Sequence, residues 1–336
     1  MSGAVIAMAA SAGLVSLIVS FLVLKGGILD FPNARSSHSA PTPRGGGLGV
    51  LAGMGAGAII ASLFPLGAGA LGGVLAVTLM FAFLGFLDDL FVLDERLKLA
   101  AFIIFCLAMV TAAGPVTRFG LTYELGFALP PLVGWIGSAL FVFVVVNAVN
   151  FMDGSDGILA AVMIPAGIAL ALAGLAAGVM TSVITGVLLA ASLAGFVLLN
   201  WPPAKLFAGD VGALGAGALY AGGALALVNH GFSGTLWLAP LLVLVFLADV
   251  LLTLLRRARH GRFSLSAHRE HAYQRLIDSG WSHQAIALVY GGLTAVIGLT
   301  GLLAAQIMDG GVPLVFAVWV VVLTGLHVSV GRIVGR

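Results

Sequence analysis

The feature that most constrains this chain is a succession of apolar stretches, each close to the length of a bilayer crossing, with the charged residues confined to the gaps between them. A spanning helix needs about 20 apolar residues. On that measure helices are expected near 4–24, 46–64, 69–87, 97–114, 131–149, 158–178, 181–199, 211–229, 236–255, 285–307 and 313–331. Charged residues are 8% of the 336, against about 25% in soluble domains, so a water-soluble fold is excluded. The expected fold class is an all-α polytopic integral membrane protein of about ten to eleven spans, read as one transmembrane domain over residues 1–336. The 47 glycines suit helices packed closely through small residues. One cysteine, Cys106, lies in an apolar run and rules out a disulfide framework or a cysteine-based metal site. The first basic residue, Lys25, follows the first apolar run instead of preceding it, so that run reads as a retained span.

Charge sets the expected orientation. With the first helix entering from outside, only Arg118 of the 15 basic residues falls on the outer side, as the positive-inside rule requires. The N-terminus is then outside and the C-terminus cytoplasmic. Of the acids, only Glu124 and Asp309 are outer; Asp249 falls within or near the inner half of its helix. Acids follow the positive-inside rule weakly, so their inner bias points to a cytoplasmic face that handles cations or charged ligands. The sizeable outer loop, Pro115 to Pro130, carries a segment from Thr117 to Tyr123 suited to a short hairpin and no visible chemistry.

Five inner loops carry the polar residues. Asn147-Ala-Val-Asn150-Phe-Met-Asp153-Gly-Ser-Asp156-Gly157 follows the uncharged run Pro131 to Val146. Its amides and carboxylates recur every three residues, roughly 60° apart on a helix, so Asn147, Asn150 and Asp153 share one broad face. Carboxylates at a bilayer edge are costly unless solvated, paired or bound to a cation. Arg44 stands in Pro41-Thr-Pro-Arg-Gly-Gly-Gly, beside exposed amides at a helix start where a phosphate can bind; a simple positive-inside anchor reads equally well. Asp88 and Asp89 are adjacent at a helix end and repel, which recruits a cation or a proton; Lys98 is near enough to answer a phosphate or pair with Asp89. Asp210, in Phe207-Ala-Gly-Asp-Val-Gly, is a good N-cap for the helix near 211, and Phe207 either packs in the core or stacks on a base. The last loop holds His268-Arg269-Glu-His271-Ala-Tyr-Gln-Arg275. Its histidine pair could ligate a metal, but so much arginine suits an anion. His38, His230, His260, His283 and His327 read as lying outside any site.

Taken together, and in this order from Pro41 to Arg275, the motifs resemble those of the polyprenyl-phosphate N-acetylhexosamine-1-phosphate transferase family. The resemblance covers almost the whole chain. It implies an enzyme of the bacterial inner membrane, with its active site facing the cytoplasm. There undecaprenyl phosphate attacks a UDP-N-acetylhexosamine, giving a lipid-linked diphosphate sugar and UMP. By motif, Asp210 and Asn150 would hold Mg²⁺, with Mn²⁺ as an alternative. Phe207 would stack on uracil, with Asp156 on its polar edge and Asp153 beside it. Lys98, Arg269, His268 and His271 would neutralise the diphosphate, and Arg44, Asn147 and Arg275 would complete the substrate-binding set. Asp88 would take a proton from the lipid phosphate or orient it, with Asp89 tuning Asp88. The family also implies a homodimer in membrane lipid and no nucleic-acid partner.

The last loop departs from the three-histidine run of the pentapeptide-nucleotide branch and looks like the branch that initiates O-antigen synthesis. The expected role is therefore to start O-antigen or a related surface glycan. The phospho-N-acetylmuramoyl-pentapeptide transferase of peptidoglycan synthesis is the alternative. In a different class, a transporter of an anionic solute would place polar groups near the midplane and often show an internal repeat.

Overall fold

The computed structural model describes residues 2–26, 28–30, 42–91, 93–122, 124–232, 234–259, 261 and 270–334. In chain order these form α1 (Ser2–Gly26), β1 (Ile28–Asp30), β2 (Thr42–Arg44), α2 (Gly47–Ser62), α3 (Leu71–Phe91), α4 (Glu95–Ala113), β3 (Arg118–Gly120) and β4 (Gly126–Ala128). There follow α5 (Pro131–Met152), α6 (Ile158–Ala177), α7 (Met180–Asn200), α8 (Gly209–His230), α9 (Thr235–Leu241), α10 (Leu244–Arg259), α11 (Ala272–Asp278), α12 (His283–Ile307) and α13 (Gly311–Val334). Among the described residues, 9 helices are long and apolar enough to cross a membrane, or 10 with the bent pair α9 and α10 taken as one span. The protein is an all-α polytopic membrane protein.

Each expected span has a helix at its place, with two corrections. The stretch 236–255 is not one helix: α9 and α10 meet at 71°. Pro240 sits inside α9, and a proline lacks the amide that would continue the helical ladder and crowds the preceding turn. The second correction is α2, with only 16 residues, about 24 Å of helix and so short of a full hydrocarbon core of about 30 Å. The expected outer hairpin forms as β3 paired antiparallel with β4, Arg118 opposite Ala128. It is pinned by the Trp237 indole, whose Nε1–H donates to the Gly120 carbonyl at 2.7 Å.

The bundle is built around α8. Its sequence is dominated by glycine, alanine and leucine, and every residue from Val211 to Leu227 is buried. Small side chains let neighbouring backbones come close on all sides, so a helix that is apolar all round becomes the centre of the bundle. One close approach is to α3, where a Cβ on Gly85 would overlap the Asp210 carbonyl. Gly85 thereby sets the last turn of α3, with its two acids, against the first turn of α8. By contrast few residues of α13 are buried, as befits a helix facing lipid.

Candidate active site

The site is assembled where the ends of α3 and α5 meet the starts of α2, α4 and α8. Asp89 turns its carboxylate onto the start of α8. Its Oδ1 accepts from the Asp210 amide at 3.2 Å and its Oδ2 from the Val211 amide at 3.3 Å. The cap of α8 therefore comes from another helix, and Asp210 is not the N-cap expected from its position; it sits within the first turn. Gly209 makes this possible, with φ of +72° and an absent Cβ that would lie 2.5 Å from Asp89 Oδ2.

Asp210 is the hub. Its Oδ1 accepts from Asn150 Nδ2 at 3.1 Å, and its Oδ2 accepts from Lys98 Nζ at 3.3 Å. Lys98 also donates to Asp88, so its expected pairing with Asp89 is replaced by one with Asp88 and Asp210. The turn that brings Lys98 there is fixed locally. Asp94 caps α4 by accepting from the amides of Arg96 and Leu97, and Asp88 Oδ1 accepts from the Leu93 amide at 3.0 Å.

Arg44 enters from β2 and lies 3.0 Å from Asp89 Oδ1 and 4.0 Å from Asp210 Oδ1. Backbone bonds lock it beside Phe207: the Phe207 amide donates to the Pro43 carbonyl at 2.9 Å, and the Gly46 amide to the Phe207 carbonyl at 2.8 Å. Two loops distant in sequence thus form one wall of the site.

The segment after α5 forms a second group. Asp156 Oδ2 accepts from the Ala204 amide at 3.0 Å, and the Gly157 amide donates to Asn200 Oδ1 at 3.0 Å. Asn200 also donates to the Leu206 carbonyl at 2.9 Å, tying this segment to the one that carries Phe207. Tyr273, from α11, lies against Gly154 and donates to the Phe151 carbonyl at 3.3 Å. Asp153 stands just past the last residue of α5. Burial pushes its carboxyl well above the ordinary carboxylate value, and the charge of Asp210 adds to this against the opposing pull of Arg44.

Other expected members make contacts of their own around this cluster. Asn147 donates to the Phe143 carbonyl of its own helix at 2.8 Å, and no hydrogen bond joins it to the carboxylates among the described residues. His271 is buried and opens α11 as one half of a capping box with Gln274, its Nδ1 3.4 Å from Asp249 Oδ1. Arg275 packs on α13, where a Cβ on Gly331 would lie 3.6 Å from Nη2. Burial and then the charge of Arg256 lower its pKa from the usual arginine value. His268 and Arg269 lie outside the described residues.

Asp249, which the residue pattern placed only by its helix, and His283, which it read as lying outside any site, both make long-range contacts in the structure. The buried Asp249 accepts from the amides of Ala272 and Tyr273 at 2.8 and 3.2 Å and from the Tyr290 hydroxyl at 2.6 Å. One carboxylate thus anchors both α11 and α12 to α10. The signal was available: an acid inside an apolar helix is expensive and needs partners.

The donor chemistry fits a hard divalent cation. Asp88 and Asp210 share one ammonium, so two carboxylates and the Asn150 amide face the same small space. Mg²⁺ is typically held by one or two carboxylates together with substrate phosphates. Among the described residues no three His, Cys, Asp or Glu side chains form a metal-ligating group. Asn150 points its nitrogen at Asp210, so service as a ligand requires the amide to turn over and present its oxygen.

The chain is similar in sequence to known proteins. Residues 71–228, from α3 nearly to the end of α8, match the model of glycosyl transferase family 4. The decaprenyl-phosphate N-acetylglucosaminephosphotransferase of Mycolicibacterium smegmatis is 29% identical over 314 residues, covering 81% of this chain and 74% of that protein. The probable undecaprenyl-phosphate N-acetylglucosaminyl 1-phosphate transferase of Bacillus subtilis is 27% identical, over 82% of this chain and 77% of its own. The phospho-N-acetylmuramoyl-pentapeptide-transferase of Desulforudis audaxviator is 30% identical over 304 residues, 80% of this chain and 86% of its own. The chain therefore belongs to glycosyl transferase family 4, the family of membrane-embedded polyprenyl-phosphate sugar-1-phosphate transferases.

Proposed function

We propose that this protein transfers the sugar 1-phosphate of a UDP-N-acetylhexosamine to undecaprenyl phosphate at the cytoplasmic boundary of the bacterial inner membrane, releasing UMP and initiating O-antigen or a related surface glycan. The observation that carries the reading is the convergence of Asp88, Asp89, Lys98, Asn150, Asp210 and Arg44 on one small space at one end of the bundle. Phosphoryl transfer asks a protein for positioning and charge neutralisation more than for covalent chemistry, and these residues supply both. The acceptor's tail stays in lipid while its phosphate meets a water-soluble donor at the helix ends. A transporter would instead gather its polar groups at the midplane. The cytoplasmic assignment rests on basic residues, which gather at the end of the bundle that holds the site.

Roles follow from the contacts. Asp210 and, after an amide turn, Asn150 would hold Mg²⁺. Bound there, the ion would neutralise charge on the donor's diphosphate. Lys98 balances Asp88 and Asp210, and Arg44, bridged through its backbone to Phe207, would meet the anionic ligand. A phosphate monoester has a second pKa near 6, so the acceptor is mostly dianionic at neutral pH and needs no strong base; Asp88 serves to hold Lys98. Phe207 and Asp156, joined through Asn200, form the end that takes the uracil.

The test is a panel of UDP-sugars offered to purified protein with undecaprenyl phosphate and Mg²⁺, with UMP release measured. Release with one N-acetylhexosamine and not with the muramyl pentapeptide nucleotide supports the reading. Release with the pentapeptide nucleotide alone assigns the chain to the peptidoglycan branch, in keeping with its likeness to that group of relatives. No release with any sugar overturns the enzyme reading.

A further inference from the structure

His283 opens α12, far in sequence from the Asp153–Gly157 segment, yet its imidazole is seated in that segment. Nδ1 lies 2.9 Å from the Ser155 hydroxyl and 3.2 Å from the backbone nitrogen of Asp156. A backbone amide only donates, so Nδ1 must be an acceptor there and the ring proton belongs on Nε2. Asp156 Oδ1 is 3.8 Å from the same nitrogen, beyond a hydrogen bond. Its other oxygen, Oδ2, is held by the Ala204 amide. The Asp156 carboxylate is therefore fixed from two sides, through its backbone by His283 and through Oδ2 by Ala204, with Oδ1 making neither of these bonds. The ring is largely covered, with 23% of the side chain exposed, and Asp156 is 16% exposed.

We infer that His283 is a positioning residue that aims Asp156 Oδ1 at the imide N–H of a uracil base, and so sets both the affinity for the nucleotide and the preference for uracil over cytosine. The inference rests on the reading of Asp156 as part of the nucleotide end of the site. Uracil presents a donor at that ring position, whereas cytosine presents only an acceptor, which a carboxylate repels. An aspartate on a glycine-flanked turn would otherwise swing between orientations. Two hydrogen bonds to one imidazole nitrogen remove that freedom before the nucleotide arrives.

The experiment measures KM and kcat for the UDP-sugar, together with UMP and CMP binding by calorimetry, in wild type, His283→Ala, His283→Asn and Asp156→Ala. Loss of two neutral hydrogen bonds, each worth about 1 kcal/mol, predicts for His283→Ala a KM and a UMP dissociation constant raised about tenfold or more. Its kcat should stay within about twofold, and the gap between UMP and CMP should narrow. The Asn side chain places an acceptor oxygen near the position of Nδ1, so His283→Asn is expected to recover most of the UMP affinity. A purely structural role predicts falling kcat and melting temperature without the KM change and without rescue by Asn. If Asp156→Ala weakens UMP while His283→Ala does not, the inference about His283 is wrong and the nucleotide reading stands. If neither variant weakens UMP, the nucleotide reading of the segment fails, and the inference fails with it.

Discussion

The Asp89 carboxylate on α3 bonds the backbone amide of Asp210 on α8 at 3.2 Å, while the Arg44 guanidinium stands 3.0 Å from the same carboxylate oxygen. One of the two adjacent acids is thus a helix cap supplied in trans, and the other faces Lys98. Capping groups are worth about 1 kcal/mol each, up to about 2, and Asp89 serves two amides. Asp89→Ala is expected to cost about 1–2 kcal/mol and to lower the melting temperature in detergent. It should also cut UMP release by displacing Asp210. Asp89→Asn, which keeps an acceptor oxygen, is expected to fall between wild type and Ala. Equal stability of all three would show that the cap is not what holds α8 in place.

Gly209 is the backbone counterpart of that cap. Its φ of +72° is a left-handed conformation, and a Cβ would crowd Asp89 Oδ2. A non-glycine residue there costs about 1–2 kcal/mol in backbone terms alone. Gly209→Ala is expected to lose activity out of proportion to its loss of melting temperature, because Asp89 must move as well. Retention of full activity would place Asp89 outside the working geometry.

Lys98 stands where a divalent cation would neutralise Asp88 and Asp210. Its removal leaves two carboxylates facing one space without their ammonium. Lys98→Ala is expected to melt lower than wild type in chelator and to gain more from added Mg²⁺ than wild type does, while UMP release falls. A Mg²⁺-induced shift no larger than that of wild type would argue against a cation site at these acids.

Asp153 gives a dependence on pH with a definite sign. Its folded pKa is raised well above the ordinary 3.8, so between those two values the folded protein holds a proton that the unfolded chain releases. Stability from this group is fully present below the unfolded pKa and is lost as pH rises through the folded one. Asp153→Asn imitates the protonated form. In chelator it is expected to melt a few degrees above wild type near pH 8, with the difference closing toward pH 4. Identical melting across that range would show that Asp153 is ionised in the fold.

Much of this was legible in the residues because the bilayer leaves few alternatives. An apolar run long enough to span must be helical, and α1 to α8 lie where such runs occur. The carboxylates at the ends of α3 and α5 and at the start of α8 stood out because charge at a membrane boundary requires a reason. What stayed hidden was set by contacts between distant segments. Nothing local to Asp89 says that it caps α8, and nothing near His283 or Asn200 reveals that they clasp the segment at 154–157. The three-residue spacing of Asn147, Asn150 and Asp153 suggested one shared face. The helix instead ends at Met152, and Asn147 satisfies itself on Phe143, one turn back. Pro240 was visible and does mark the break between α9 and α10. Arg275 follows His271 by one helical turn, but on α11 it packs against Gly331 of α13.

We propose that Asp210 organises a centre for sugar-phosphate transfer to a polyprenyl phosphate. The most direct measurement follows a UDP-sugar labelled in the sugar into the organic-extractable lipid fraction, using purified wild type and Asp210→Asn shown to have matching melting behaviour. Labelled lipid and stoichiometric UMP are expected with wild type, and at least about a hundredfold less with Asp210→Asn, the scale of losing a principal electrostatic group from an active site. Undiminished transfer by Asp210→Asn would contradict the proposal, because the hub of the hydrogen-bonded cluster would then be dispensable for the reaction.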